Sequence, residues 1–199
     1  MRFRVFTVAP SDFESWANHQ KTKAVYPPPA PPAPDTSAAT KGARQQVAVV
    51  PPPAPAPAPE GYIFPVAQRP AHVVPDTPVP AGNSFPEGLT GDPQRGVAVY
   101  SRSACIGCHK IDGNPMSVGI IGPNLTHVAS RATIAGGVFP NDARHLSLWI
   151  KNARKMKPGV TMNTLGKGQY DPIMKMTVTA GGLTDQEIAD IVAYLQLLK

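Results

Sequence analysis

Long apolar runs are missing from this sequence, and cysteine is scarce. No stretch of about 18 apolar residues occurs, so the sequence predicts no transmembrane helix. The N-terminus carries Arg2 and Arg4 but lacks the continuous apolar run of a signal peptide. Basic residues are not interleaved with aromatic residues, and no helix-turn-helix pattern is present. These two absences argue against a nucleic-acid partner.

The only two cysteines of the 199 residues lie in one pentapeptide, Cys105-Ile106-Gly107-Cys108-His109. Two thiols at this spacing on one turn can form thioethers with the vinyl groups of a haem, and the adjacent histidine can bind the iron axially. Gly107 leaves room for the porphyrin edge. A zinc site would need a second pair of Cys or His ligands, and a thioredoxin-like pair would need a βαβ context. The motif therefore predicts one covalent haem c.

Proline is abundant and unevenly placed. Most of the 25 prolines fall between residues 27 and 88, including Pro/Ala blocks at 27–34 and 51–59. Such a stretch cannot form a packed core and is expected to be polyproline II or disordered. It predicts a flexible linker at 27–88 between a short first piece, 1–26, and a domain at 89–199. We interpret it as a leash for that domain. A ligand for SH3-type domains is less favoured, because flanking arginines are missing.

The positive charge is concentrated after the linker. The chain has a formal charge of +6, and residues 90–199 carry twelve Lys or Arg against seven Asp or Glu. A basic domain of this kind favours an acidic protein partner.

Helix signals frame the last domain. Asp92-Pro93 is typical of an N-cap followed by proline at the first helical position, and the helix is expected to end near Ser103. A capping box of Thr184 and Glu187 begins the last helix. Its apolar stripe is expected to pack on the first helix where Gly96 allows close approach; the stripe consists of Ile188, Ile191, Val192, Leu195 and Leu198.

A middle helix is predicted from Asp142 to about Ala153, with Asn141 as its cap. Leu146, Trp149 and Ile150 share one of its faces. Trp149 has two interpretations: its indole N–H donates to a haem propionate, or it packs in the core. His127 and His145 are interpreted as surface residues or as residues behind the iron ligand.

The first piece has its own pattern. Met1–Val8 is rich in β-forming residues and predicts a strand. Ser11 and Glu14 form a candidate capping box for a short helix with Phe13 and Trp16 on one face. So few residues cannot bury a core alone, so we expect this strand and helix to pack on a missing N-terminal part.

The helices around the C-x-x-C-H motif resemble class I cytochromes c, in which the first and last helices clasp one another. The segment Gly122-Pro-Asn-Leu-Thr-His-Val-Ala-Ser-Arg131 resembles the haem domain fused to subunit II of caa3-type oxidases. The resemblance implies that the Pro123 carbonyl holds the second nitrogen of His109. It also implies that Leu125 packs on the haem and that Arg131 reaches a propionate, although a surface position for Arg131 is equally compatible.

The sixth iron ligand is expected to be a thioether, which is soft and favours Fe(II). Lys157-Pro-Gly-Val-Thr-Met162 resembles the Lys-Pro-Gly-x-x-Met-Pro loop of the fused oxidase domains, with Asn163 in place of proline. That resemblance favours Met162. A longer run before the last helix leaves Met174 and Met176 open. The five methionines considered are Met116, Met156, Met162, Met174 and Met176.

A basic cluster lies close to the methionine loop in the sequence and is a candidate docking surface or a solvated helix face. It consists of Lys151, Arg154, Lys155 and Lys157.

The N-terminal residues from Met1 to Trp16 resemble the end of the cupredoxin domain of bacterial cytochrome c oxidase subunit II. Met1 stands where that family has a copper-binding methionine, or it is only the initiator. The other copper ligands of the family are missing from this sequence, so copper binding is not predicted.

Together these patterns predict a mainly α protein that carries electrons and is not an enzyme. The resemblance implies a quinol-oxidising complex or a small cytochrome as donor and the oxidase copper centre as acceptor. It also implies the periplasm or the outer face of the bacterial cytoplasmic membrane, with membrane association only through the complex. The alternatives are a separate tethered cytochrome serving another respiratory complex, and a peroxidase-like haem site without a methionine ligand.

Overall fold

A computed structural model describes residue 5 and residues 7–25 and 75–199. In this part of the chain the fold is mainly helical, with two short hairpins. The helices are α1 (Pro10–His19), α2 (Pro93–Arg102), α3 (Cys105–Cys108), α4 (Ala143–Met156) and α5 (Asp185–Leu195). The strands are β1 (Thr133–Ile134), β2 (Phe139–Pro140), β3 (Tyr170–Asp171) and β4 (Met176–Thr177), and Val128–Ser130 form a 3₁₀ turn.

Helices α2 and α5 begin as the sequence predicts. The Asp92 carboxylate accepts from the amide of Arg95, with proline at the first helical position. Thr184 and Glu187 form both hydrogen bonds of a capping box, since the side chain of each accepts from the backbone amide of the other. The five apolar residues of the predicted stripe are all buried, and with residues of α2 they form the main core.

The two helices meet at a glycine and a buried carboxylate. A Cβ at Gly96 would lie 2.0 Å from the Asp190 carbonyl oxygen, so only glycine permits this approach. The Asp190 carboxylate accepts from Nε and Nη2 of Arg95, each at 2.9 Å, and from the Asp92 amide at 2.8 Å. The crossing predicted from Gly96 is therefore confirmed, and an ion pair that the sequence did not indicate fixes it.

Helix α4 differs from its prediction at both ends. Its N-cap is Asp142, whose carboxylate accepts from the His145 amide, and the predicted cap Asn141 instead donates to the Val128 and Arg131 carbonyls. The helix extends to Met156 and contains a kink at Asn152, where φ is −156° and ψ is 81°. Leu146 and Ile150 join the main core, whereas Trp149 packs in a second cluster around Phe139, Leu148 and Met156.

The strand and capping box predicted for the first piece are not found where the structure describes it. Of the predicted strand only residues 5, 7 and 8 are described, and none of the three is in a strand. Helix α1 begins at Pro10 after Ala9, without a side-chain cap. Proline fixes the φ angle that the first helical position needs, so the helix begins before Ser11. Phe13 and Trp16 do share a face, with ring centroids 5.7 Å apart.

The residues after α1 lie against the last domain. The Ala24 amide donates to the Asp112 carbonyl at 2.7 Å. His127 is buried, with Nε2 at 3.1 Å from the Thr22 carbonyl and Nδ1 at 2.9 Å from that of Lys199. The buried ring of His19 lies 4.8 Å from the His127 ring. The expectation of a surface position for His127 is thus wrong, because it joins the first piece to the domain.

The other side of the proline-rich stretch also contacts the domain. Val79 packs on the second cluster, Phe85 on both clusters, and the Gly82 carbonyl accepts from Lys155 at 2.6 Å. Packing therefore begins before the predicted boundary at residue 89, because these apolar side chains have a core to enter. The linker predicted at 27–88 lies largely outside the described residues. The described segments on both sides of it contact one domain, and the role of the linker as a leash stays a prediction. In the part of the chain that the structure describes, every helix is too short or too polar to span a bilayer.

Candidate haem site

The turn that carries the two cysteines, here called the attachment turn, is covered by a glycine-rich segment. Helix α3 is a single turn, Cys105–Cys108, and the His109 amide closes it on the Cys105 carbonyl at 2.9 Å. A Cβ at Gly119 would lie within 2.4–2.5 Å of backbone atoms of Gly107 and Cys108. The Gly122 amide donates to the Cys108 carbonyl at 2.7 Å. Glycines thus let the segment after the motif lie directly on the attachment turn.

The histidine ring is oriented by a backbone carbonyl. Nδ1 of His109 lies 2.8 Å from the Pro123 carbonyl oxygen. A carbonyl only accepts hydrogen bonds, so Nδ1 carries the proton and Nε2 of the neutral ring keeps its lone pair. A Cβ at Gly122 would lie 2.5 Å from Cε1 of this ring. The contact expected between Pro123 and His109 is therefore present in the structure.

The backbone of His109 is held by a hydrogen-bond chain from α2. The Ser117 hydroxyl donates to the His109 carbonyl at 2.8 Å. Since that hydroxyl has only one proton, Tyr100 is the donor in the 2.8 Å bond between their oxygens. Both side chains are buried, and burial raises the pKa of Tyr100, which keeps it a donor. Ser117 was not among the predicted site residues, because nothing near it in the sequence indicates this contact.

Cys105 does not have the character of a thiolate site. Cys105 is buried, and this burial raises the pKa of its thiol to about 11. Redox-active cysteines need a depressed pKa. Within the described residues, no group of three or more His, Cys, Asp or Glu side chains is placed to hold a metal ion. The structure therefore disfavours the zinc and thioredoxin-like alternatives.

These observations test whether the residues fit a haem c. Both cysteines lie on the single turn of α3, and a Cβ added at Gly107 would meet no atom within 4 Å. The histidine has its second nitrogen occupied, as an axial ligand requires. The adjoining segment exposes large apolar side chains: Met116, Val118, Ile120 and Ile121. The residues present fit a covalently held, largely apolar group beside this turn.

The methionines occupy distinct environments. Met156 is buried in the second cluster, which makes it a core residue. Met162 is partly buried in the segment after α4. Met116 is exposed beside the attachment turn, and Met174 and Met176 are exposed on the β3–β4 hairpin. The position of Met162 as iron ligand stays a prediction.

The other predicted haem contacts have these positions. Leu125 is partly buried against the main core, and its amide donates to the Lys110 carbonyl at 2.8 Å. Arg131 is exposed on the surface of the domain, and its Nη2 donates to the carbonyl of Asn124, the residue after Pro123. Trp149 packs on the second cluster. The propionate contacts of Arg131 and Trp149 stay predictions.

The basic cluster proposed as a docking surface is used inside the domain. Lys151 pairs with Asp185 at 2.8 Å. Arg154 is buried in an ion pair with Asp171, and Lys157 donates to the Ala135 carbonyl at 2.8 Å. With Lys155 bound to Gly82, all four side chains have partners within the chain. The docking interpretation is therefore wrong for the buried Arg154, whereas it stays a prediction for the exposed Lys155.

Helices α2 and α5 clasping beside a C-x-x-C-H turn define a helical, haem-binding electron-transfer domain. A sequence model of the cytochrome c family matches residues 93–199. The chain belongs to the cytochrome c family, whose members carry electrons through a covalently bound haem c.

Two curated proteins are similar to about half of the chain. Cytochrome c oxidase subunit 2 of Bacillus sp. (strain PS3) is 30% identical over 109 residues, which cover 53% of this chain and 26% of that protein. Cytochrome c oxidase subunit 2 of Alkalihalophilus pseudofirmus is 27% identical over 105 residues, with 53% and 25% covered. The matched part thus spans about a quarter of the length of these relatives. A solved structure, SoxXA from P. pantotrophus, is 26% identical with a TM-score of 0.41 and covers 56% of this chain and 85% of that chain.

Proposed function

We propose that the domain holds one haem c through Cys105 and Cys108, with His109 and Met162 as the two axial ligands. The observation that carries this proposal is the 2.8 Å contact of His109 Nδ1 with the Pro123 carbonyl, which leaves Nε2 as the ligating atom. The haem supplies one-electron chemistry at its iron. The chain supplies orientation: Pro123 fixes the tautomer and the ring plane, and the Ser117 contact fixes the backbone of His109.

With His109 and Met162 both bound to it, the iron would have no position for a substrate. We therefore infer an electron carrier and not an enzyme. About half of this chain is similar to subunit 2 of two cytochrome c oxidases. This similarity supports a more specific role, as the cytochrome c domain of a caa3-type oxidase subunit II in aerobic respiration. In that role the donor is a quinol-oxidising complex or a small cytochrome, and the acceptor is the copper centre of the oxidase. In that role the domain lies at the outer face of the bacterial cytoplasmic membrane.

The charge of the domain supports an acidic protein partner. Residues 90–199 carry twelve Lys or Arg against seven Asp or Glu, and this excess of positive charge attracts an acidic surface.

The haem assignment is tested by expressing the chain, exported and with cytochrome c maturation proteins, and recording its pyridine haemochrome spectrum. We expect one haem per chain that stays attached after acid and organic extraction. Replacement of both Cys105 and Cys108 by alanine should abolish covalent attachment. A colourless exported protein would contradict the proposal.

The oxidase role needs a separate test on native material. Antibodies against residues 90–199 should recover, from detergent-solubilised membranes of the source cells, oxygen-reducing activity and copper together with this chain. Recovery of the haem protein without oxygen reduction would favour the separate tethered cytochrome.

A further inference from the structure

The segment that carries Met162 is held by one buried side chain. Nη2 of Arg154 donates to the Thr161 carbonyl at 3.2 Å and to Oδ1 of Asn163 at 2.9 Å. These two residues flank Met162 directly. Arg154 comes from the last turn of α4, so the guanidinium ties the methionine segment to that helix from both sides.

Arg154 is in turn fixed by a carboxylate from the hairpin. Its Nη1 donates to both oxygens of Asp171, at 2.7 and 2.6 Å, and both side chains are buried. Removal of one partner from a buried ion pair leaves an uncompensated charge, which is strongly unfavourable. The guanidinium therefore has one position, and the orientation of the Met162 segment depends on it.

Asp171 also binds the backbone on two sides. Its carboxylate accepts from the amides of Ile173 and Met174, each at 2.9 Å, and more weakly from that of Thr164 at 3.4 Å. These contacts join the β3–β4 hairpin to the residues just after Met162. Although burial alone raises the pKa of Asp171, the amide and guanidinium donors hold that pKa well below its usual range.

The kink in α4 completes the connection. Asn152 leaves the helical conformation and is buried, with Nδ2 donating to the Tyr170 carbonyl at 3.1 Å. Its Oδ1 accepts from the Thr164 hydroxyl at 3.2 Å and from the Lys155 amide at 3.0 Å. One helix end, one hairpin and the methionine segment thus share a single buried polar network.

We propose that Arg154 and Asp171 are the positioning pair for the sixth iron ligand, and that the β3–β4 hairpin is the brace which holds this pair. The inference rests on the proposed function, since it takes Met162 as the ligand. In this arrangement the hairpin acts on the iron through the orientation of residues 161–164. It fixes how firmly the methionine stays in place, and so whether external ligands reach the metal.

The test compares two carboxylate-to-amide substitutions in the full, haem-loaded chain. Asp171→Asn removes the charge that pairs with Arg154. Asp190→Asn is the matched control, because Asp190 is also buried and paired with an arginine, but at the crossing of α2 and α5. The readouts are the Met–Fe(III) charge-transfer band and the rate of carbon monoxide binding to the ferrous protein.

We expect Asp171→Asn to lose most of the charge-transfer band and to bind carbon monoxide roughly tenfold faster or more, as the loss of a buried pair implies. Asp190→Asn should unfold at a lower temperature with the band intact. Equal losses in both variants, or an unchanged band in Asp171→Asn, would overturn the inference. Should Asp171→Asn not fold, Asn163→Ala removes one bond of Arg154 at an exposed position, and it should give a smaller change of the same kind.

Met162→Ala separates this inference from the function on which it rests. If Met162→Ala removes the band but Asp171→Asn does not change it, Met162 is the ligand and the positioning role is wrong. If Met162→Ala keeps the band, the ligand assignment is wrong and the inference is wrong with it.

Discussion

The two sides of the candidate haem site are built in different ways. The histidine side is local: the contacts of His109 come from residues 105–123 and depend mainly on backbone groups and glycines, with the Ser117 hydroxyl as the one side-chain donor among those described above. The methionine side is assembled by side chains from α4 and the β3–β4 hairpin, around the buried pair of Arg154 and Asp171. A site built from backbone contacts is recognisable as a short motif, whereas one built from a distant ion pair is not.

This difference predicts that the histidine side tolerates an added methyl group less well. Gly122→Ala would place a Cβ 2.5 Å from Cε1 and 2.6 Å from Nδ1 of His109. The ring must move from the Pro123 carbonyl, so we expect covalent haem yield to fall about tenfold and stability to drop by about 1–3 kcal/mol. Haemochrome yield and thermal unfolding measure the two effects.

Gly159→Ala is the control on the methionine side. A Cβ there would meet nothing within 4 Å, and only its φ of +88° opposes the change. We expect a stability loss of about 1–2 kcal/mol with normal haem yield. Equal haem yields in the two alanine variants would contradict the comparison.

A medium effect is expected from acid, which should lower the stability that Asp190 contributes at the crossing of α2 and α5. Burial raises the pKa of Asp190, but the bonds from Arg95, the Asp92 amide and Gln186 outweigh it and hold that pKa below its usual range. A carboxyl with a depressed folded pKa stabilises the fold above its unfolded pKa, near 4, and loses this contribution as pH falls through the folded value.

Wild-type protein should therefore lose stability steeply below about pH 4, whereas Asp190→Asn, already weaker at pH 7, should lose less. Chemical unfolding at several pH values measures both slopes. Parallel pH profiles for wild type and Asp190→Asn would show that Asp190 does not carry the effect.

The smallest effect concerns the contact of the first piece with the domain. Burial, and then the nearby His127, lower the pKa of His19. The unfolded segment thus binds more protons between the folded pKa and 6.5, so docking weakens as pH falls through that window. Lys199 and Asp112 also lie at this contact.

Hydrogen exchange of the Ala24 amide, which donates to Asp112, reports this docking. Corrected for intrinsic rate, exchange should rise by about threefold from pH 7.5 to 5 in the wild type. His19→Leu should flatten that dependence. Constant protection of Ala24 across the range would exclude a role for His19.

The features that could be predicted from the sequence are the ones that depend on local contacts, as on the histidine side. The caps at Asp92 and Thr184, the stripe of α5 and the contact of Pro123 with His109 depend on neighbours in the chain or on a recognised motif, and all are present in the structure. The role of Arg154 was misread as part of a docking surface, because its partner lies 17 residues away in a hairpin that no periodicity marked.

The burial of His127 was missed for a similar reason. Its partners, Thr22 and Lys199, are separated from it by 105 and 72 residues. Histidine has no strong preference for the surface or the core, so composition gives no indication. Long-range polar contacts of this kind become visible only once the fold brings the partners together.

The central claim is that His109 and Met162 together occupy both axial positions of the iron. Carbon monoxide titration of the ferrous, haem-loaded wild type and of Met162→Ala tests it most directly, with Met174→Ala and Met176→Ala as controls. The account predicts that the wild type and both controls bind almost no carbon monoxide, whereas Met162→Ala binds it stoichiometrically. Ready binding of carbon monoxide by the wild type or by either control would contradict the account.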